Sequence, residues 1–157
     1  MTARQPLAGL LALLVGAVTV AACGGATPTP TAAPPTSQSV AVTLQEWAVV
    51  PASTSVASGG VTFAVTNSGP DDVHEFVVVR TDLAAGSLPT DEAGVVDESG
   101  GGMEVVNEIE DIPVGQTQEL TVTLTPGSYV LICNIYDEGE AEAHYQLGMR
   151  IGFTVTN

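Results

Sequence analysis

Residues 61–80 read VTFAVTNSGPDDVHEFVVVR. In the first half Val61, Phe63 and Val65 take every second position, and the alternation stops at Asn67-Ser68-Gly69-Pro70. A period of two puts those side chains on one face of a strand, and the Asn/Ser/Gly/Pro cluster ends it in a turn. The second half, His74 to Arg80, is β-branched and largely apolar, which reads as another strand. Strand, turn and strand in so short a stretch form the repeating unit of an all-β domain.

The same signals recur outward in both directions. Val40, Val42 and Leu44 alternate ahead of Trp47 and Val49; downstream, Leu120, Val122 and Leu124 precede a Pro126-Gly127 turn. Tyr129 to Cys133 and Met149 to Val155 complete a set of at least six short strands, with no persuasive helical run between them. Short strands separated by turn residues predict a β-sandwich. Residues 82–116 are the least regular part, holding Gly86, Pro89, Gly94, Gly100-Gly101-Gly102 and Pro113. The glycine run lacks the lysine and following helix of a phosphate loop and reads as a flexible connection. The acids between 91 and 111 lack the spacing of a calcium loop and read as a solvated face.

Composition narrows the function classes. The 157 residues include 18 acids, 3 basic residues and no lysine, for a net charge of −15 with 13% of residues charged. A soluble domain usually carries roughly 25%. Without a basic stripe the chain offers nothing to phosphates, so nucleic acid is excluded as a partner.

At the N-terminus, Arg4 precedes an apolar run from Leu7 to Ala22, a secretory signal pattern. Its end, Val20-Ala21-Ala22-Cys23-Gly24-Gly25, resembles a bacterial lipoprotein signal, in which the cysteine is lipidated and becomes the first mature residue. The expected organisation is a signal peptide at 1–22, lipidated Cys23 with a Thr/Pro/Ala-rich linker to 39, and one domain at 40–157. The linker, if extended, holds that domain on the order of 50 Å from a membrane surface at about 3.1 Å per residue. Cys133 is then the one thiol left in an exported domain, with no partner for an internal disulfide.

That domain contains two histidines, His74 and His144, one cysteine, Cys133, and two methionines, Met103 and Met149. Two imidazoles, a thiolate and a weak thioether are the donor set of a blue-copper site. The three segments that carry them are Asn67 to Phe76 (NSGPDDVHEF), Thr125 to Asn134 (TPGSYVLICN) and His144 to Met149 (HYQLGM). On these motifs residues 40–157 resemble the cupredoxins, the plastocyanin-like blue copper proteins. The resemblance implies a Greek-key β-sandwich binding one copper ion through His74, Cys133, His144 and Met149, with Met103 a spare axial candidate. It also implies that His144 is the electron exit if its ring reaches the surface, and that Asn134 donates hydrogen bonds that orient the site. Ten residues separate Cys133 from His144, against two to four in many members, and they include Asp137, Glu138, Glu140 and Glu142. Closing the longer loop costs only about a kcal/mol more.

The expected function is a monomeric, lipid-anchored, extracytoplasmic one-electron carrier, not an enzyme, whose redox partner presents a basic surface. Copper capture and handover without redox turnover is the alternative, and a metal-free binding sandwich a third. The chain has too few histidines for a multicopper oxidase cluster, and it lacks a Cys-x-x-Cys-His haem motif.

Overall fold

A computed structural model describes residues 37–157; the expected signal peptide, lipidation site at Cys23 and all but the last residues of the linker lie outside it. The described strands are β1 (Gln38–Gln45), β2 (Ala48–Pro51), β3 (Ser55–Ala57), β4 (Gly59–Asn67), β5 (His74–Thr81), β6 (Met103–Ile112), β7 (Thr117–Leu124), β8 (Gly127–Ile132), β9 (Tyr136–Asp137), β10 (Glu142–Ala143) and β11 (Arg150–Thr156). One four-residue helix, α1 (His144–Leu147), precedes β11. The strands form a four-stranded sheet, β2-β1-β4-β7, a five-stranded sheet, β3-β11-β8-β5-β6, and a β9/β10 hairpin. Most neighbours are antiparallel, but β1 runs parallel to β4 and β3 parallel to β11.

The alternation read in the sequence sets the core. Val61, Phe63 and Val65 of β4 are fully buried against Phe76 and Val78 of β5 and Phe153 of β11. Phe63 sits 5.3 Å from Phe76 and 5.6 Å from Phe153 between ring centroids, a tilted and an edge-on contact. Each such pair adds about 0.5–1.5 kcal/mol beyond the area it buries.

β5 and β8 are apolar on both faces because both faces are covered. Phe76, Val78 and Leu131 point into the sandwich, whereas Val77, Val79, Val130 and Ile132 pack outward against Leu88, Val96 and Tyr145. That outer cover gives order to part of 82–116, the stretch that reads as least regular in the sequence. Leu88 and Val96 are buried, the Leu88 amide donates to Tyr145 Oη at 3.1 Å, and Tyr145 Oη donates to the Ala85 carbonyl at 2.8 Å. The end of the same stretch is β6, ten residues long. Its pattern hid it: register shifts in the β5/β6 ladder put Val105 on the outer face and both Val106 and Ile109 on the inner one, so strict alternation is lost. As an edge strand β6 also carries Glu104, Glu108, Glu110 and Asp111, charges that discourage pairing with another chain.

Candidate metal centre

His74 is the first residue of β5, and the turn before it is held by a buried side chain. Asn67 Nδ2 donates to the carbonyls of Asp72 at 2.7 Å and Ile112 at 2.9 Å, while its Oδ1 accepts the Gly69 amide at 2.8 Å. Cys133 follows β8 directly, on the inward parity of Tyr129 and Leu131. His144 opens α1, and its amide donates to the Ile135 carbonyl at 2.9 Å. The long Cys133-to-His144 segment is therefore an ordered hairpin, with Ala143 paired to Tyr136 and Glu142 to Asp137, and it returns His144 beside the cysteine.

Three donor atoms converge in this buried corner. His74 Nδ1 and His144 Nδ1 are 3.3 Å apart, and Cys133 Sγ lies 3.5 Å from the latter and 3.9 Å from the former. The centre of that triangle is about 2 Å from each corner, the length of a metal–nitrogen or metal–thiolate bond. All three residues are at most 1% exposed. Met149 is fully buried in the same cluster as Cys133; its carbonyl accepts the Cys133 amide at 3.0 Å and its amide donates to the His144 carbonyl at 3.1 Å. Soft sulfur with two imidazoles, in a three-coordinate arrangement closed to water, fits copper.

Electrostatics agree with a site built for an ion. Burial holds both imidazoles below the usual histidine range, His74 further through the proximity of His144, so both are neutral and able to ligate. Burial pushes the Cys133 thiol up to about 12, although the amides of Glu75 and Ile135 oppose it. The Glu75 amide donates to Sγ at 3.2 Å, a contact that supports a thiolate once a cation is present.

No family model and no curated sequence matches the chain. Solved structures do. Auracyanin from the photosynthetic bacterium Roseiflexus castenholzii superposes with a TM-score of 0.51 at 22% identity, covering 78% of this chain and 98% of that one. Auracyanin A, a "blue" copper protein of Chloroflexus aurantiacus, gives 0.51 at 19%, covering 76% and 99%. Rusticyanin from Thiobacillus ferrooxidans gives 0.51 at 17%, covering 76% and 77%. The chain has the cupredoxin fold.

Within this cupredoxin sandwich the candidate ligands divide cleanly. His74, Cys133, His144 and Met149 gather at one end, whereas Met103 pairs with Thr81 at the opposite end of β5, which removes it as an axial candidate. Asn134 ties down the neighbouring segment instead of reaching the metal corner: its Oδ1 accepts the Val96 amide at 2.7 Å and its Nδ2 donates to Glu98 Oε1 at 2.9 Å. His144 does not present its ring edge to solvent; it is 1% exposed and lies under Trp47, whose ring centroid is 4.9 Å away.

Two residues near the centre carry no motif in the sequence. Glu46 and Trp47 form the β1–β2 turn, which folds over the histidines. Glu46 Oε1 accepts the amides of Asp72 at 2.9 Å and Asp71 at 3.2 Å. Burial works to raise the Glu46 pKa, but the amides of Asp72, Glu46 itself and Asp71, with the nearby His74, outweigh it and leave the carboxyl below its ordinary range.

Proposed function

We propose that the protein is a type 1 copper protein that carries single electrons on the extracytoplasmic side of a bacterial membrane, to which Cys23 tethers it. The observation that carries this reading is the buried triangle of Cys133 Sγ and two Nδ1 atoms. Bound copper would supply the redox couple, alternating between Cu(II) and Cu(I). Cys133 would supply the thiolate donor, His74 and His144 the imidazole nitrogens, and Met149 a weak thioether. The sandwich keeps those donors nearly fixed, because each is anchored by a strand end or by backbone hydrogen bonds, and a fixed donor set lowers the reorganisation that accompanies electron transfer. The same closure excludes water from the thiolate.

The partner reading is a redox protein with a basic surface. Beside His144, a groove of about 470 Å³ is lined by Asp71, Asp72, Val73, Tyr136, Asp137 and Glu138, among other residues. Val73 and Tyr136 are exposed apolar residues amid four carboxylates, a surface suited to lysine or arginine side chains around an apolar contact. The signal-like N-terminus supports export and anchoring; mass spectrometry of the mature N-terminus should find a lipid on Cys23, and Cys23→Ala should release the protein from membranes.

The copper reading is tested by the Cu(II) spectrum. The purified protein loaded with Cu(II) should show an intense visible thiolate-to-copper band that is absent in Cys133→Ser, and a colourless loaded protein would sink it. Reversible voltammetry with fast self-exchange supports electron transfer; tight Cu(I) binding with sluggish redox would favour copper handover instead.

A further inference from the structure

The two histidines of the centre are supported differently on their outer nitrogens. When both Nδ1 atoms face one ion, each ring must carry its proton on Nε2, and a buried Nε2–H needs an acceptor. Neither Nε2 has a hydrogen-bond partner among the described residues. For His74, however, a carboxylate is at hand: Glu46 Oε1 is 3.6 Å from Nε2, and Glu46 Oε2 is a buried oxygen that also lacks a partner. A donor without an acceptor and an acceptor without a donor thus stand side by side, a few tenths of an ångström beyond hydrogen-bond length. Glu46 is itself held in place by the amides of Asp71 and Asp72, three and two residues before His74.

We propose that Glu46 is the positioning residue of this centre: its carboxylate accepts the Nε2–H of His74, fixes the tautomer that frees Nδ1 for the metal, and adds a negative charge behind one ligand only. The proposal rests on the reading of His74 as a metal ligand. A negative charge behind His74 stabilises Cu(II) more than Cu(I), so Glu46 lowers the reduction potential.

The test uses the full-length protein in detergent, with two variants. Glu46→Gln keeps an oxygen for the amides of Asp71 and Asp72, removes the charge and turns the second oxygen into an NH2 donor. Its Cu(II) affinity should fall by about tenfold or more, its Cu(I) affinity less, and its potential should rise. Glu46→Ala removes the acceptor, and long-range nitrogen–proton NMR of the metal-free protein should then show His74 losing the pure Nε2–H form seen in the wild type. Should the alanine variant not fold, the potential of Glu46→Gln decides alone. A wild-type potential in Glu46→Gln, or a metal-free wild type with His74 protonated on Nδ1, overturns the proposal. A wild type that binds no copper through Cys133 sinks the functional reading instead, and that outcome is visible in its spectrum before any variant is made.

Discussion

Glu75 sits between the metal corner and the acidic edge of the sandwich, and its two ends behave differently. Its amide supports Cys133 Sγ, while its half-buried carboxylate converges with those of Glu98 and Glu108. Burial, then the charges of Glu98 and Glu108, push its pKa up to about 7. A carboxyl whose folded pKa is raised binds its proton more tightly in the native state, so its stabilisation is complete at low pH. That stabilisation is lost as pH rises from the ordinary carboxyl value of 4.5 through about 7. Glu75→Gln in the metal-free protein should therefore gain stability relative to the wild type across that window and hold a constant advantage above it. Urea denaturation of both proteins at several pH values measures this, and parallel pH profiles would count against it.

Elements matter at this site because each ligand is delivered by the end of one. The turn between β4 and β5 has Gly69 at φ 65°, where a Cβ would stand 2.8 Å from Val114 Cγ1 and 3.3 Å from the Asp71 amide nitrogen. Gly69→Ala meets both the left-handed backbone penalty and a clash, and should cost about 1–3 kcal/mol, read as a lower denaturation midpoint. Gly148, between α1 and β11, is constrained in the same way: φ is 128° and a Cβ would lie 3.0 Å from the Trp47 carbonyl. Trp47 can lie across His144 partly because nothing projects from Gly148. The β9/β10 hairpin gives the ten-residue Cys133-to-His144 segment its order. Tyr136 and Asp137 pair with Ala143 and Glu142, and Asp137 Oδ1 caps the tip by accepting the amides of Gly139 at 2.6 Å and Glu140 at 3.2 Å.

Across the whole molecule, charge is both scarce and one-sided. Among the described residues the basic side chains are Arg80 and Arg150. Arg80 lies at the end of β5 away from His74, and Arg150 is occupied with the Tyr145 carbonyl and ring. Neither neutralises the groove beside His144, so its four carboxylates act together on an approaching protein. Association with a basic redox partner should be fast at low salt and slow markedly as ionic strength approaches 0.15 M, where the screening length is about 8 Å. Stopped-flow rates for Asp71→Lys with Asp72→Lys should be lower and less dependent on salt; a wild-type rate independent of salt would remove the electrostatic account of docking.

The sequence by itself determined the all-β class, most of the strands and the four candidate ligands. Alternation is a local property, and a domain so poor in histidine and cysteine leaves few ways to assign them. Residues 82–112 were illegible because their order comes from elsewhere. Leu88 and Val96 are fixed by the outer face of β5 and β8, and β6 by a ladder whose bulges erase its alternation. The position of Glu46 was equally hidden, since no local pattern links it to a histidine in another sheet. Only the packing of the two sheets brings the β1–β2 turn over the metal corner, and that packing decides which histidine has a carboxylate behind it and which is covered by an indole.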